Sequence, residues 1–397
     1  MIDRSLIWTS DINERTVDTS AFEGRKIGIY DTTLRDGEQT VGVVLSPDDK
    51  LAIAIALDGL GVDRIEAGFP RVSDDDVKAY ELIMAAELKA EIWGFSRAVP
   101  ADVEQLLELG VNSAVIEAPL SDGKLAAYGM DRDTVMGRVV TAVEHAVAND
   151  VTVCFFGVDG TRADPLFLAD VYRAAVEAGA QELAVVDTLG IAAPEAAAAM
   201  IEAVRDWVGP DIPLHWHGHN DFGLATACAI AAVGAGAGWI QGAINGMGER
   251  AGNANLAEFA LALDVLYHGS TGLRFERIAE VSELVRERSG YALEPYKPVT
   301  GENLFVRESG AVAAQFHDPS AIEPYSSQIT GARRGIVLGK KSGIASIEIK
   351  LDELGIEVPE ERRPQLLAEV KIRGAAKQGI VTDDEFRQLA AGVGEGS

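Results

Sequence analysis

Of the six histidines in this 397-residue chain, two stand in His217-Gly218-His219. Residues i and i+2 of a strand point to the same face, so both imidazoles can reach one ion. Two imidazoles and one carboxylate, with coordination positions left open, suit a divalent cation that must also hold a substrate. His215, two residues earlier, would face the same way one layer deeper and is read as a packing residue. A second segment, YDTTLRDGEQ at 30–39, carries Asp31, Arg35, Asp36 and Glu38. One of its carboxylates could complete the ion site, and Arg35 could stabilise developing negative charge. A third segment, NGMGERAGNANLAE at 245–258, presents Asn245, Glu249, Arg250 and Asn253 among glycines that let a backbone turn tightly against a ligand.

These residues need a scaffold that brings them to one face. Short β-branched runs at 27–31, 62–69, 90–96, 111–118, 151–159, 182–188, 212–219 and 238–245 alternate with helical patterns at 47–60, 74–88, 101–109, 133–149, 165–178, 194–208, 222–236 and 253–267. Ser46-Pro47-Asp48-Asp49 and Asp164-Pro165 are helix starts, and Gly61, Gly110, Gly179 and Gly238 follow helix ends. Eight βα units of near-equal spacing, with no GxGxxG after the first strand, favour a (β/α)8 TIM barrel over a doubly wound sheet. Asp36, Glu66, Ser96, Arg97, Glu117, Asp159, Arg162, Asp187, Thr188, His217, His219 and Asn245 all fall at or just after strand C-terminal ends. In a barrel those ends share the catalytic face. The pattern predicts an N-terminal arm at 1–24, a barrel at 25–270, a linker subdomain at 271–335 covering the active site, and a small helical subdomain at 336–397.

Composition bounds the rest. Lys and Arg number 35 against 62 Asp and Glu, a net charge of −27, which argues against nucleic acid or anionic membrane as a partner. An anionic substrate must therefore be drawn in by a local cluster of Arg, Lys or metal. At 47% hydrophobic and 24% charged, the chain has the composition of a soluble globular protein. The first 24 residues hold no apolar secretory core, and the longest apolar stretch, LAIAIAL, is far short of a membrane span. Cys154 and Cys228 sit in apolar settings and read as buried reduced thiols; the expected location is cytoplasmic.

The segments DTTLRDGEQ, IEAGFP (65–70), VDTLG (186–190), HGHNDFGLA (217–225) and NGMGERAGNANL (245–256) resemble the signature set of the DRE-TIM metallolyases. The likeness is closest to the acetyl-CoA-dependent branch of 2-isopropylmalate, homocitrate and citramalate synthases. It extends beyond the barrel through GENLFVRESG (301–310) and VLGKKSG (337–343). The resemblance implies that Asp36, His217 and His219 ligate a divalent ion (Mn, Mg, Zn or Co), with Asn253 as a further oxygen donor. It implies that Arg35 faces the substrate carbonyl oxygen, that Thr188 holds the 2-oxo acid carboxylate, and that Glu66 orders this shell. Arg162 matches an arginine that meets a distal substrate carboxylate in some homocitrate synthases. The implied activity is that of an acyltransferase condensing acetyl-CoA with a 2-oxo acid to a substituted malate plus CoA. The implied assembly is a homodimer whose post-barrel segments cover the partner's active site.

Departures from the family pattern bear on the substrate. Arg307 and Val312 stand where histidines are usual, Val158 where an acid is usual, and EAPLSDGKL (117–125) lacks a histidine common after the fourth strand. An added cation at Arg307 favours an anionic 2-oxo acid such as 2-oxoglutarate, oxaloacetate or phosphonopyruvate. The general base is then to be sought among Glu302, Glu308, His317 and Tyr325. The chain is expected to lack the regulatory domain usual in leucine synthases. The alternatives are a lyase cleaving a 3-hydroxyacyl-CoA, like 3-hydroxy-3-methylglutaryl-CoA lyase, or a non-catalytic metabolite-binding relative.

Overall fold

The computed structural model describes residues 2–394. The chain falls into two compact units, one of Asn13–Leu293 and the other of Ile2–Ile12 together with the chain from Glu294 onward.

In the first unit, β1 (Gly28–Asp31), β2 (Arg64–Glu66), β3 (Glu91–Arg97), β4 (Ser113–Pro119), β5 (Thr152–Val158), β6 (Glu182–Asp187), β7 (Leu214–Gly218) and β8 (Trp239–Gly242) pair in sequence order into a closed barrel. Every pairing is parallel, and β1 closes the ring by pairing Tyr30 with Gln241 of β8 as well as with Arg64 of β2. That double pairing excludes an open doubly wound sheet, whose first and last strands would not meet.

A short α1 (Asp11–Thr16) precedes the barrel. Around the ring lie α2 (Pro47–Leu60), α3 (Asp74–Ala85), α4 (Pro100–Glu108), α5 (Asp122–Tyr128), α6 (Arg132–Ala148), α7 (Pro165–Glu177), α8 (Pro194–Val208), α9 (Ala225–Gly234), α10 (Leu256–Tyr267) and α11 (Ile278–Ser289). Their ends are set by local chemistry. Ser46 and Asp49 form a capping box on α2, with Pro47 in its first turn and Gly61 in the left-handed region at its end. Asp164 caps α7 through the amides of Leu166 and Phe167. The additional helix α5 lies outside the eight periodic patterns; seven residues are too few for periodicity to declare, and Ser121 starts it by accepting from the Lys124 amide.

Residues 271–293 belong with the barrel. Ile278, Val281 and Val285 of α11 are buried, and Ser282 donates to the Asn245 side chain. The core inside the ring is built from alternate strand positions: Trp93 and Phe95, Val115, Cys154 and Phe156, and Ala184 and Val186, together with Tyr30.

The second unit carries a two-stranded parallel pair, β9 (Val306–Arg307) with β10 (Gly335–Ile336), a short α12 (Gly310–Ala313), and α13 (Ile344–Leu354), α14 (Arg363–Lys377) and α15 (Asp383–Gly394). Its core gathers Ile347, Leu351, Leu366, Val370 and Phe386. Residues 2–12 join it through Ile7, which bridges to Tyr325.

Candidate active site at the barrel mouth

The chain leaves β1 in a tight turn. Asp31 is buried and accepts from the Thr33 amide (2.8 Å) and hydroxyl (2.9 Å), and the Thr32 amide donates to Gly242 on β8. Burial pushes Asp31 up to about 7, against the pull of those two hydrogen bonds. The turn carries Arg35 and Asp36 over the mouth, where His217 stands next to last in β7 and His219 follows the strand's end at Gly218. Asp36 Oδ2 lies 3.3 Å from His217 Nε2 and 3.5 Å from His219 Nε2, and the two ring nitrogens are 3.4 Å apart. All three side chains are buried. Burial disfavours the Asp36 charge, but Arg35 beside it pulls the other way and the carboxyl stays far below the usual range.

Three atoms at this cluster are buried without a hydrogen-bond partner: Asp36 Oδ1, His219 Nδ1 and Asn253 Oδ1. Asn253 pairs across a backbone bridge with His219, and its amide nitrogen donates to the Met247 carbonyl (2.9 Å), which leaves Oδ1 unused. Gly248, at φ +144°, leaves open the space a Cβ would occupy, 3.2 Å from Asp36 Oδ1 and against the Asn253 amide nitrogen. Two imidazoles and two oxygen donors left without partners fit a divalent cation.

The tautomer of His217 follows from the network beneath it. Glu182 is held by Arg64 (2.6 and 3.0 Å) and lies 2.7 Å from His215 Nε2. Burial opposes its charge, yet His215 and Arg64 lower its pKa to about 2, so His215 Nε2 carries the proton and Nδ1 accepts from the Gln241 amide nitrogen (3.2 Å). Gln241 then has only its oxygen to offer His217 Nδ1 (3.2 Å), which must donate. The Nε2 lone pair of His217 is thereby turned toward Asp36 and His219.

Cys154, Glu182 and His215 form a second group of metal-ligand types. Here the charge is already balanced by Arg64, whose guanidinium lies between Trp93 (4.4 Å) and Trp239 (3.6 Å). His215 is a packed, hydrogen-bonded residue one layer below His217, and both cysteines are buried and free.

Arg35 donates through Nε to Glu66 (2.6 Å), which also accepts from the Tyr30 hydroxyl (3.2 Å). The Arg35 guanidinium rests 4.3 Å over the Phe95 ring, and its Nη2 is buried without a partner. Burial works against its charge, but Glu66 and Asp36 raise its pKa above the already high reference. The Thr188 hydroxyl accepts from the Asp159 amide (2.8 Å), and its carbonyl accepts from Arg250, which is paired with Asp221.

Other residues of the same segments are engaged elsewhere. Arg162 is held by Asp159, with its side chain 44% exposed. Glu38 caps the Leu45 amide and pairs with Lys50. Asn245 is a correction to the reading of the third segment: its amide is spent on Ser282 of α11, because its left-handed backbone (φ 60°) turns the side chain toward that helix.

Arg307, Glu308 and Tyr325 lie in the second unit. Arg307 Nη1 donates to the Leu304 and Val306 carbonyls (2.8 and 3.1 Å), and Nη2 lies 3.8 Å from Glu323. Glu308 pairs with Lys341, and the Tyr325 ring packs edge-on against Phe305.

Two residues at or beneath the mouth had no role from the sequence. Gln241 could have been noticed as a polar residue interrupting the short strand WIQG. Glu117 was legible only as one more carboxylate at a strand end.

A profile of the HMGL-like family matches residues 26–285, which is the barrel and the first part of α11. The chain belongs to the HMGL-like family. This is a family of the DRE-TIM superfamily, as the segments around Asp36, His217 and Asn253 suggested. Among HMGL-like relatives, a Methanopyrus kandleri protein carrying the provisional name (R)-citramalate synthase CimA is 41% identical over 370 residues, 93% of this chain and 72% of its own. Homocitrate synthase AksA of the same organism is 41% identical over 367 residues, 92% of each chain. The 2-isopropylmalate synthase of Methanocaldococcus jannaschii is 37% identical over 375 residues, 93% of this chain and 72% of its own. The crystal structure of the HMG-CoA lyase from Brucella melitensis shares the fold at a TM-score of 0.60 and 20% identity, covering 68% of this chain and all of that one.

Proposed function

We propose that the chain condenses acetyl-CoA with a 2-oxo acid, releasing CoA and a substituted malate. The observation that carries this reading is the Asp36–His217–His219 cluster beside Arg35, whose buried Nη2 has no partner. Asp36, His217, His219 and Asn253 would hold a divalent ion, which when bound supplies Lewis-acid polarisation of the 2-oxo acid carbonyl. Thr188 orients the substrate carboxylate. Arg35, fixed by Glu66, donates to the carbonyl oxygen as it gains charge. A base removes a proton from the acetyl methyl group, the resulting enolate carbon bonds to the carbonyl carbon, and water then cleaves the thioester. Glu66 is committed to Arg35 and Tyr30, so the base is sought among Glu302, Glu308, His317 and Tyr325.

The proposed acid is anionic: 2-oxoglutarate, oxaloacetate or phosphonopyruvate. A small acid with no distal charge, such as pyruvate, is the second reading, favoured by the engagement of Arg162 with Asp159 and of Arg307 with main-chain carbonyls. Homodimer formation belongs to the same proposal; Val41, Val44 and Phe222 are 96%, 83% and 73% exposed on loops following β1 and β7.

Thiol release from acetyl-CoA with Mn or Mg, against 2-oxoisovalerate, pyruvate, 2-oxoglutarate, oxaloacetate and phosphonopyruvate, tests the proposal. Turnover with one anionic acid alone is the expected result. Best turnover with pyruvate or 2-oxoisovalerate would keep the reaction and discard the anionic substrate, and silence across the panel would discard the condensation.

A further inference from the structure

The inner faces of β3, β4 and β5 continue upward from their aromatic layer. Two residues beyond Phe95, Val115 and Phe156 come Arg97, Glu117 and Val158, and strand parity turns all three toward the mouth. Glu117 and Phe156 are register partners, and the Phe156 ring lies 6.0 Å from the Arg35 guanidinium. Glu117 therefore stands on the same mouth as Arg35.

Beside it opens a cavity of about 220 Å³, lined by Arg97, Glu117, Tyr128, Met130, Arg138 and Val158 among others. It runs from the strand ends to α5 and α6. Its charged groups are unequally occupied. Arg97 is clamped by Asp102 through two hydrogen bonds (2.7 and 3.0 Å). Arg138 is exposed and touches only Met130 Sδ (3.1 Å), with no carboxylate in reach among the described residues. The Glu117 carboxyl makes no hydrogen bond or ion pair with any described residue.

The Glu117 side chain is partly exposed and lines the cavity without a protein partner, so its carboxyl is open to a ligand that enters between it and the arginines of the other walls. We propose that Glu117 determines which 2-oxo acid is used: its unpartnered carboxyl meets the distal group of the substrate in this cavity, where Arg97 and Arg138 supply the countercharge for an anionic one. This inference rests on the condensation reading of the same mouth.

Protonation is favourable there. Burial lifts Glu117 to about 7; Arg35 opposes the rise, Glu66 adds to it, and Arg97 and Lys124 oppose it weakly. Arg138 is the remaining charged group on the cavity. Below this pKa the acid donates. Above it the carboxylate repels an anionic distal group, while a substrate of equal length with an uncharged distal group is spared.

The test compares kcat/KM for 2-oxoglutarate with 2-oxovalerate, and for oxaloacetate with 2-oxobutyrate, on the Mn-loaded enzyme from pH 6 to 9. In the parent, the anionic-to-neutral ratio should fall by about tenfold per pH unit above pH ~7, the behaviour of a single ionisation. Glu117→Gln keeps a donor that does not titrate, so its ratio should be flat with pH. Glu117→Leu should lower the ratio at pH 6.5 by tenfold or more, through KM. Preference of the parent for the neutral acids at every pH would overturn the proposal, as would equal kcat losses for both acids in either variant, which mark a proton-transfer or structural role. If the leucine variant does not fold, the flat or sloping profile of the glutamine variant still decides. A parent that turns over no acid at all overturns the condensation itself, a failure visible before any variant is made.

Discussion

Each imidazole of the His217/His219 pair contributes a nitrogen that meets the Asp36 carboxylate at 3.3–3.5 Å. His219→Ala removes one donor and leaves Asp36 and His217 in place. Equilibrium dialysis against Mn or Zn should show a loss of affinity larger than the roughly 10–100-fold that removal of an outer hydrogen-bond partner costs. Retention of parental affinity would show that the ion is held elsewhere. These ligand types were readable in the sequence because parity on a strand is rigid: two residues apart means one face. Arg307 shows the opposite case. Its charge was legible, but its engagement with the Leu304 and Val306 carbonyls comes from the fold of β9 and its neighbours. Glu117 stands out through the lack of a partner, which one-dimensional spacing does not record.

At the scale of elements, β2, β6, β7 and β8 act together through side chains that lie beneath the mouth and end at His217. Arg64 fixes Glu182, Glu182 fixes the His215 tautomer, and Gln241 on β8 passes the constraint to His217. Gln241→Leu is close in volume and breaks the relay while leaving all four candidate ligands intact. It should weaken Mn binding by roughly 10–100-fold, with the far-UV spectrum unchanged; unaltered affinity would remove the relay from the design of the site. The eight strands were legible because β-branched runs of even length recur between capped helices. The relay was hidden because it depends on the stagger that sets His217 opposite Gln241 and His215 opposite Trp239. A shift of one residue in that pairing would change both partners while leaving the hydrophobic pattern of each strand intact.

For the molecule as a whole, every candidate ligand and the whole relay lie within Asn13–Leu293. That unit has its own closed ring and its own core, so a chain truncated after Leu293 should fold cooperatively and bind Mn with parental affinity. Thermal unfolding with and without Mn measures this: a metal-dependent rise in Tm in the truncated chain is the expected result, and its absence would show that the ion needs residues of the second unit. The division itself was only partly legible. Residues 271–293 change composition like a linker, yet the buried face of α11 and the Asn245–Ser282 hydrogen bonds bind them to the barrel.

The candidate ligands also occupy a particular arc of the ring. Asp36 follows β1, His217 lies at the end of β7 with His219 just after it, and Asn253 follows β8, so they gather on the three strands that flank the junction of the chain's first strand with its last. That junction has the longest loop to close during folding and gains its contacts only when the rest of the ring is assembled. An ion bound across it would act as a latch on ring closure, lending stability where local sequence provides least. Chelation should then speed deuterium uptake at the Gly28 and Thr32 amides, which donate across the junction to Gly238 and Gly242, before it affects the arc from β3 to β6.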